Sequence, residues 1–227
     1  MAAELDGPRL APQSGAARQL VVFLHGYGAD GNDLIDIGRA WQQLLPDAAF
    51  VSPHAPRPCG QAPMGREWFP LTFRDPNERW DGVNAAAPVL NAFIDTELKR
   101  HNLADSALAL VGFSQGTMMA LHVGLRRAAA PAAIVGYSGM LVTPPNEADI
   151  DAFAAEIRSR PPVLLVHGDQ DELIPVQALM HAAQGLAALE VAVEWHISPG
   201  VGHGIDQEGL RQGGEFLARR FSGRAAA

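Results

Sequence analysis

One cysteine, Cys59, is all that the 227 residues contain, and that excludes an intramolecular disulfide. Basic runs are missing too. With a formal net charge of -8, the chain's long-range field repels nucleic acid, so neither DNA nor RNA is expected as a partner. Long apolar stretches are absent: the longest are of strand length and are broken by Gly, Pro or His well short of the ~18 residues a membrane helix needs. Met1–Pro12 shows neither the basic n-region nor the apolar h-region of a secretory signal, so a cytoplasmic protein is expected. No His-Glu-x-x-His, paired cysteines or clustered carboxylates appear, so no metal is expected.

What is present describes a folding α/β chain. At 48% hydrophobic and 19% charged residues, the composition is too apolar for a disordered protein and ordinary for one globular domain. The first eighteen residues lack periodicity and read as a loose arm or a short edge strand, with a single domain over 19–227. Unalternating apolar runs recur at Leu20–Leu24, Ala48–Val51, Ala107–Phe113, Ala132–Tyr137, Val163–His167 and Val191–Ile197. Such runs suit strands covered on both faces. Between them, helical spacing occupies Asn32–Leu45, Ala85–His101, Gln115–Arg127, Ala148–Arg158, Val176–Leu189 and Gln207–Phe221. This alternation predicts a mostly parallel sheet with helices on both faces and ligand groups at the carboxyl ends of the strands. The rhythm breaks once, over 52–81, a Pro-rich excursion carrying Met64, Trp68, Phe69, Leu71, Phe73 and Trp80. Loops of that length are usually functional or disordered.

The most specific motif is Gly112-Phe113-Ser114-Gln115-Gly116, a G-x-S-x-G between a strand and a helix. That context turns the Ser114 hydroxyl out of the sheet, and the flanking glycines relieve collisions with neighbouring backbone. Ser114 is the expected nucleophile. Ser138, in Gly136-Tyr137-Ser138-Gly139-Met140, lacks the second glycine at the required place and reads as the polar end of another strand.

A serine hydroxyl needs a base within hydrogen-bond reach, and the base needs a third group to orient it. Of the eight histidines, His203 sits in a glycine-flanked loop after the last strand, where a side chain can project over the sheet edge. The other seven lie in helices, strands, connections or strand ends and read as structural. Two carboxylates, Asp169 and Asp171, qualify as the orienting acid on the loop after Val163–His167. Asp171 is favoured, with Asp169 reading as a turn or cap residue.

Acyl transfer also needs donors where negative charge develops. The backbone N–H of Gln115 is one candidate, and that of Tyr27, in the loop after the first strong strand, is the other. The same loop spells a literal G-x-G-x-x-G, Gly26 to Gly31. Asp30 and Asp33 would set negative charge where a pyrophosphate should bind, and no acidic residue ends the next strand, so a dinucleotide cofactor is not expected.

Together, Phe23-Leu24-His25-Gly26-Tyr27-Gly28, Gly112–Gly116, His167 through Asp171 to Pro175, and Gly202-His203-Gly204 resemble the phospholipase/carboxylesterase family, which includes the acyl-protein thioesterases. The resemblance runs from about Gln19 to the last helix. It implies an α/β-hydrolase fold without a large cap domain, action on small-molecule carboxylic esters or thioesters without a cofactor, and Asp171 rather than Asp169 as the acid. Acylated proteins and lysophospholipids are alternative substrates, and a catalytically silent binding module on the same fold is the alternative from another class. The family's tryptophan-bearing segment is similar to Glu67-Trp68-Phe69 here, although this chain's segment is longer and carries Arg66, Arg74, Asp75, Glu78 and Arg79. Met64, Trp68 and Phe69 are the expected lining of an acyl pocket. Cys59, in the same excursion, reads as structural. A homodimer has no support in the sequence.

Overall fold

In a computed structural model the chain is described over residues 5–72, 75 and 77–223. Phe73 and Arg74 of the excursion, and the first four residues of the expected arm, lie outside the described residues. Among the described residues there are nine strands and six α-helices, in the order β1 (Arg9–Leu10), β2 (Gln19–Leu24), α1 (Gly31–Trp41), β3 (Ala48–Val51), β4 (Arg57–Pro58), β5 (Arg66–Glu67), α2 (Glu78–His101), β6 (Leu108–Phe113), α3 (Gln115–Gly124), β7 (Ala133–Tyr137), α4 (Ile150–Ala155), β8 (Val163–Gly168), α5 (Gln177–Ala188), β9 (Val193–Ser198) and α6 (Gln207–Ser222).

Seven strands form one sheet in the order β1-β3-β2-β6-β7-β8-β9. All neighbours in it are parallel except β1, which pairs antiparallel with β3 through Arg9 opposite Val51 and Leu10 opposite Phe50. Residues 9–10 thus form an edge strand, and Leu5 is buried. Alternation along β2 explains the two layers of helices. Leu20, Val22 and Leu24 join a core with Leu90 and Ile94 of α2, Met118 of α3, Phe153 of α4 and Leu179 of α5. Val21 and Phe23 face the opposite core, with Leu34 and Trp41 of α1 and Phe216 and Leu217 of α6. Each such fully buried side chain contributes about 1.5–3 kcal/mol of hydrophobic stabilisation.

The strand order reverses between β2 and β6: the chain steps outward from β2 to β3, then returns to the other side of β2. At such a switch point the loops leaving neighbouring strands diverge and open a crevice at the carboxyl edge. The loops after β2 and β6 therefore flank one site.

The excursion differs from its expected form at its C-terminal end and in its interior. Helix α2 begins at Glu78, seven residues before the expected Ala85, so the irregular segment is shorter. Within it, β4 and β5 make a small antiparallel hairpin. Among the described residues, no helix is long and apolar enough to cross a membrane.

Candidate active site

Ser114 stands between β6 and α3 with φ 55° and ψ −116°, a conformation L-residues avoid at a cost of order 1–3 kcal/mol. Its surroundings enforce that geometry. The Ser114 N–H donates to Tyr137 O at 2.9 Å, and Thr117 N–H donates back to Ser114 O at 3.0 Å. The two glycines of the motif are steric necessities: a Cβ on Gly112 would stand 2.4 Å from the Gly116 backbone, and one on Gly116 would stand 1.8 Å from Leu24 O. The start of α3 is thus laid directly against the end of β2.

His203 and Asp171 are brought together. His203 Nδ1 lies 2.8 Å from Asp171 Oδ2. Facing a carboxylate, Nδ1 must carry the proton, which leaves Nε2 as a free base. Asp171 Oδ1 accepts the N–H groups of Leu173 and Ile174 at 3.0 and 2.9 Å, which fixes the rotation of the carboxylate. A second imidazole supports it: His167 Nε2 is 3.2 Å from Asp171 Oδ2 and 2.7 Å from Ile174 O. The Asp171 side chain is fully buried while that of His203 is 16% exposed, so the pair has a dry end and an open end.

The loops after β8 and β9 are stitched to one another, which sets the His203 position. Asp169 Oδ1 accepts the Gly200 N–H at 2.6 Å, and Gln170 N–H donates to Val201 O at 2.9 Å. Asp169 is occupied by this turn and does not face the imidazole. On the other side, Ser138 Oγ donates to Gly204 O at 3.2 Å, and the Phe113 ring, next to Ser114, packs on the His203 ring at 5.0 Å between centroids. The loop that carries His203 is therefore packed against the residue that precedes the serine.

Opposite them runs the loop after β2. A Cβ on Gly26 would stand 3.4 Å from Ser114 Cβ, so this backbone passes beside the serine. Among the described residues, neither the Tyr27 nor the Gln115 amide donates a backbone hydrogen bond outside helices and strands. The loop is held by His25, which is fully buried. Its Nε2 accepts the Ala55 N–H at 3.0 Å, so Nδ1 bears the proton and donates to Gly26 O at 2.8 Å. Burial pushes the His25 pKa down to about 4.

The expected acyl lining is divided. Trp68 and Phe69 are fully buried at the base of a groove of about 560 Å³ that also includes Gly82, Ala85, Ala86 and Val89 of α2. Met64 is 95% exposed and borders a different depression, with Gly28, Asp30 and Asp33. It is not brought together with Trp68 and Phe69. Cys59 is a buried free thiol. Among the described residues, no group of three or more His, Cys, Asp or Glu side chains could hold a metal ion.

Sequence reasoning treated His25 and His167 as structural and used only the main chain of Gln115. The Gln115 carboxamide is in fact fully engaged: its Oε1 accepts Trp68 N–H at 2.9 Å and its Nε2 donates to Phe69 O at 2.8 Å.

The chain is similar to known proteins over most of its length. The phospholipase/carboxylesterase family model matches residues 5–220. Acyl-protein thioesterase 1 of Gibberella zeae is 26% identical over 226 residues, covering 94% of this chain and 95% of that protein. Esterase YpfH of Escherichia coli is 28% identical over 195 residues, covering 86% and 80%. Among solved structures, the crystal structure of esterase PE8 is similar with a TM-score of 0.90 at 44% identity, covering 96% of this chain and 99% of that one.

Proposed function

The chain belongs to the phospholipase/carboxylesterase family and is a carboxylic ester hydrolase of the serine type; from that premise we propose that Ser114, His203 and Asp171 carry its reaction. Ser114 Oγ attacks the acyl carbonyl as His203 Nε2 takes its proton, with Asp171 holding the opposite nitrogen. The oxyanion is received by the Tyr27 and Gln115 amides. The alcohol leaves with the proton from His203, and a water deprotonated by the same nitrogen then releases the acid. The observation that carries this reading is the carboxylate of Asp171, fixed by two amides and aimed at His203 from the dry side.

The acyl chain of the ester belongs in the groove based on Trp68 and Phe69, which has the size of a small-molecule pocket. Small-molecule esters are the primary substrates in this reading, with acylated proteins and lysophospholipids competing for the same groove. A cytoplasmic place of action is part of the proposal, and the lone unpaired thiol of Cys59 suits a reducing compartment. Recovery of the protein outside the cytoplasm on cell fractionation would overturn that part.

Hydrolysis of a panel of p-nitrophenyl esters and matched acyl thioesters by wild type and Ser114→Ala tests the chemistry. Loss of the nucleophile should lower turnover by about a millionfold. Substantial residual turnover in the variant would refute the assignment.

A further inference from the structure

The two amides assigned to the oxyanion stand on separate elements, the loop after β2 and the start of α3, and their spacing must be held by something. Strand β5 braces the first loop through its backbone: Gly28 N–H donates to Arg66 O at 2.9 Å, and Arg66 N–H donates to Ala29 O at 2.7 Å. Immediately after β5, the Trp68 indole N–H donates to His25 O at 3.0 Å, one residue before Gly26. The same short segment, Trp68 N–H and Phe69 O, is gripped from the other side by the buried Gln115 carboxamide. A closed circuit results, from Gln115 through Trp68 and Arg66 to the β2 loop that carries Tyr27.

We infer that the Gln115 carboxamide is a positioning residue that sets the distance between the Gln115 and Tyr27 amides by clamping the β5–Phe69 segment to the start of α3. This rests on the reading of Ser114 given above. The side chain never touches substrate; it acts through Trp68 on the loop that does. Because reacting groups tolerate little displacement, a shift of about 1 Å between the two amides is enough to lose roughly a hundredfold in rate. Two features fit this role better than simple core packing. Gln115 spends both polar ends on one dipeptide, and an apolar residue of equal size would fill the same space without either bond.

Two variants separate the ideas. Gln115→Met keeps the volume and removes both hydrogen bonds, while Trp68→Phe keeps an aromatic ring and removes only the link to His25 O. Each is titrated with a fluorophosphonate so that turnover is counted per reactive serine. Each is then measured for kcat, KM and the affinity of an alkyl boronic acid, whose adduct with serine places an oxygen in the oxyanion position. The expected result is a ten- to hundredfold fall in kcat and an equal loss of boronate affinity for Gln115→Met, with KM nearly unchanged. Trp68→Phe should move in the same direction by less. Unchanged kcat and boronate affinity per labelled serine in both variants would overturn the inference. If Gln115→Met does not fold, Trp68→Phe decides by the same criteria, read with an acetyl ester and methylboronic acid, whose acyl parts are too short to engage the groove. Wild-type protein that fails to label would instead overturn the nucleophile assignment on which the inference stands.

Discussion

Acid should loosen this protein through His25. His25 is fully buried, with both ring nitrogens committed to backbone partners in a neutral tautomer. Its pKa is pushed from an ordinary 6.5 down to about 4 by burial. The unfolded chain therefore binds the proton first as pH falls. The contribution is fully present above pH 6.5, declines as pH drops below it, and reaches its floor near pH 4. At pH 5 the unfolded state has gained about 1.5 units of protonation advantage, or about 2 kcal/mol. His122 adds a similar amount, since burial and the nearby Arg126 push it down to about 3 and its Nδ1 has no hydrogen-bond partner among the described residues. Together the two residues should remove about 4 kcal/mol between pH 8 and pH 5. Urea unfolding followed by tryptophan fluorescence at pH 8, 6.5 and 5 measures this in wild type and His25→Gln. The variant should show a pH dependence shallower by about 2 kcal/mol. Equal slopes in the two proteins would refute the buried, neutral assignment of His25.

Gly116→Ala drives a methyl to within 1.8 Å of Leu24 O and should cost at least about 1–3 kcal/mol, read as a fall in Tm and in kcat together; an unchanged melting curve would contradict the close approach. Asp171→Asn should reduce kcat by about ten-thousandfold through loss of the imidazole's orientation. Asp169→Asn should leave kcat close to wild type, because an amide oxygen can still accept the Gly200 N–H; ester-hydrolysis kinetics on the two variants separate the roles. Ala85→Phe, at an exposed position beside the groove, should raise KM for long-chain esters by about tenfold and leave acetyl esters unchanged. A uniform change across chain lengths would remove the groove from the acyl site.

Most of the fold was legible because its signals are local. Strands covered on both faces are runs of apolar residues, as at Val163–Gly168, and helices between them carry their own period. Two-residue strands such as β1 and β4 are too short to leave a period, which is why the N-terminal segment read only as a loose arm or a short edge strand and the hairpin stayed hidden. The start of α2 was obscured because Glu78–Asn84 is mostly polar, with Trp80 and Val83 as its large apolar side chains, so the apolar period of the helix shows only further on. At the site, Ser114 was marked by its glycines and His203 by its loop. The residues favoured Asp171 over Asp169 as the acid, and the physical difference between them lies in which one the β9 loop occupies, a contact across 31 residues. Gln115, His25 and His167 had no sequence signal as supports. Their bonds join positions as far as 47 residues apart, or depend on a turn such as Asp171–Ile174 that only the folded loop defines.

The central claim is that Ser114 is an activated nucleophile served by His203. Treatment with a fluorophosphonate at pH 7.5, followed by peptide mass spectrometry, measures it directly. A single phosphonylated residue at Ser114 in wild type, with labelling strongly slowed in His203→Ala, is the predicted result. Labelling at another serine, or equal labelling rates with and without His203, would contradict it.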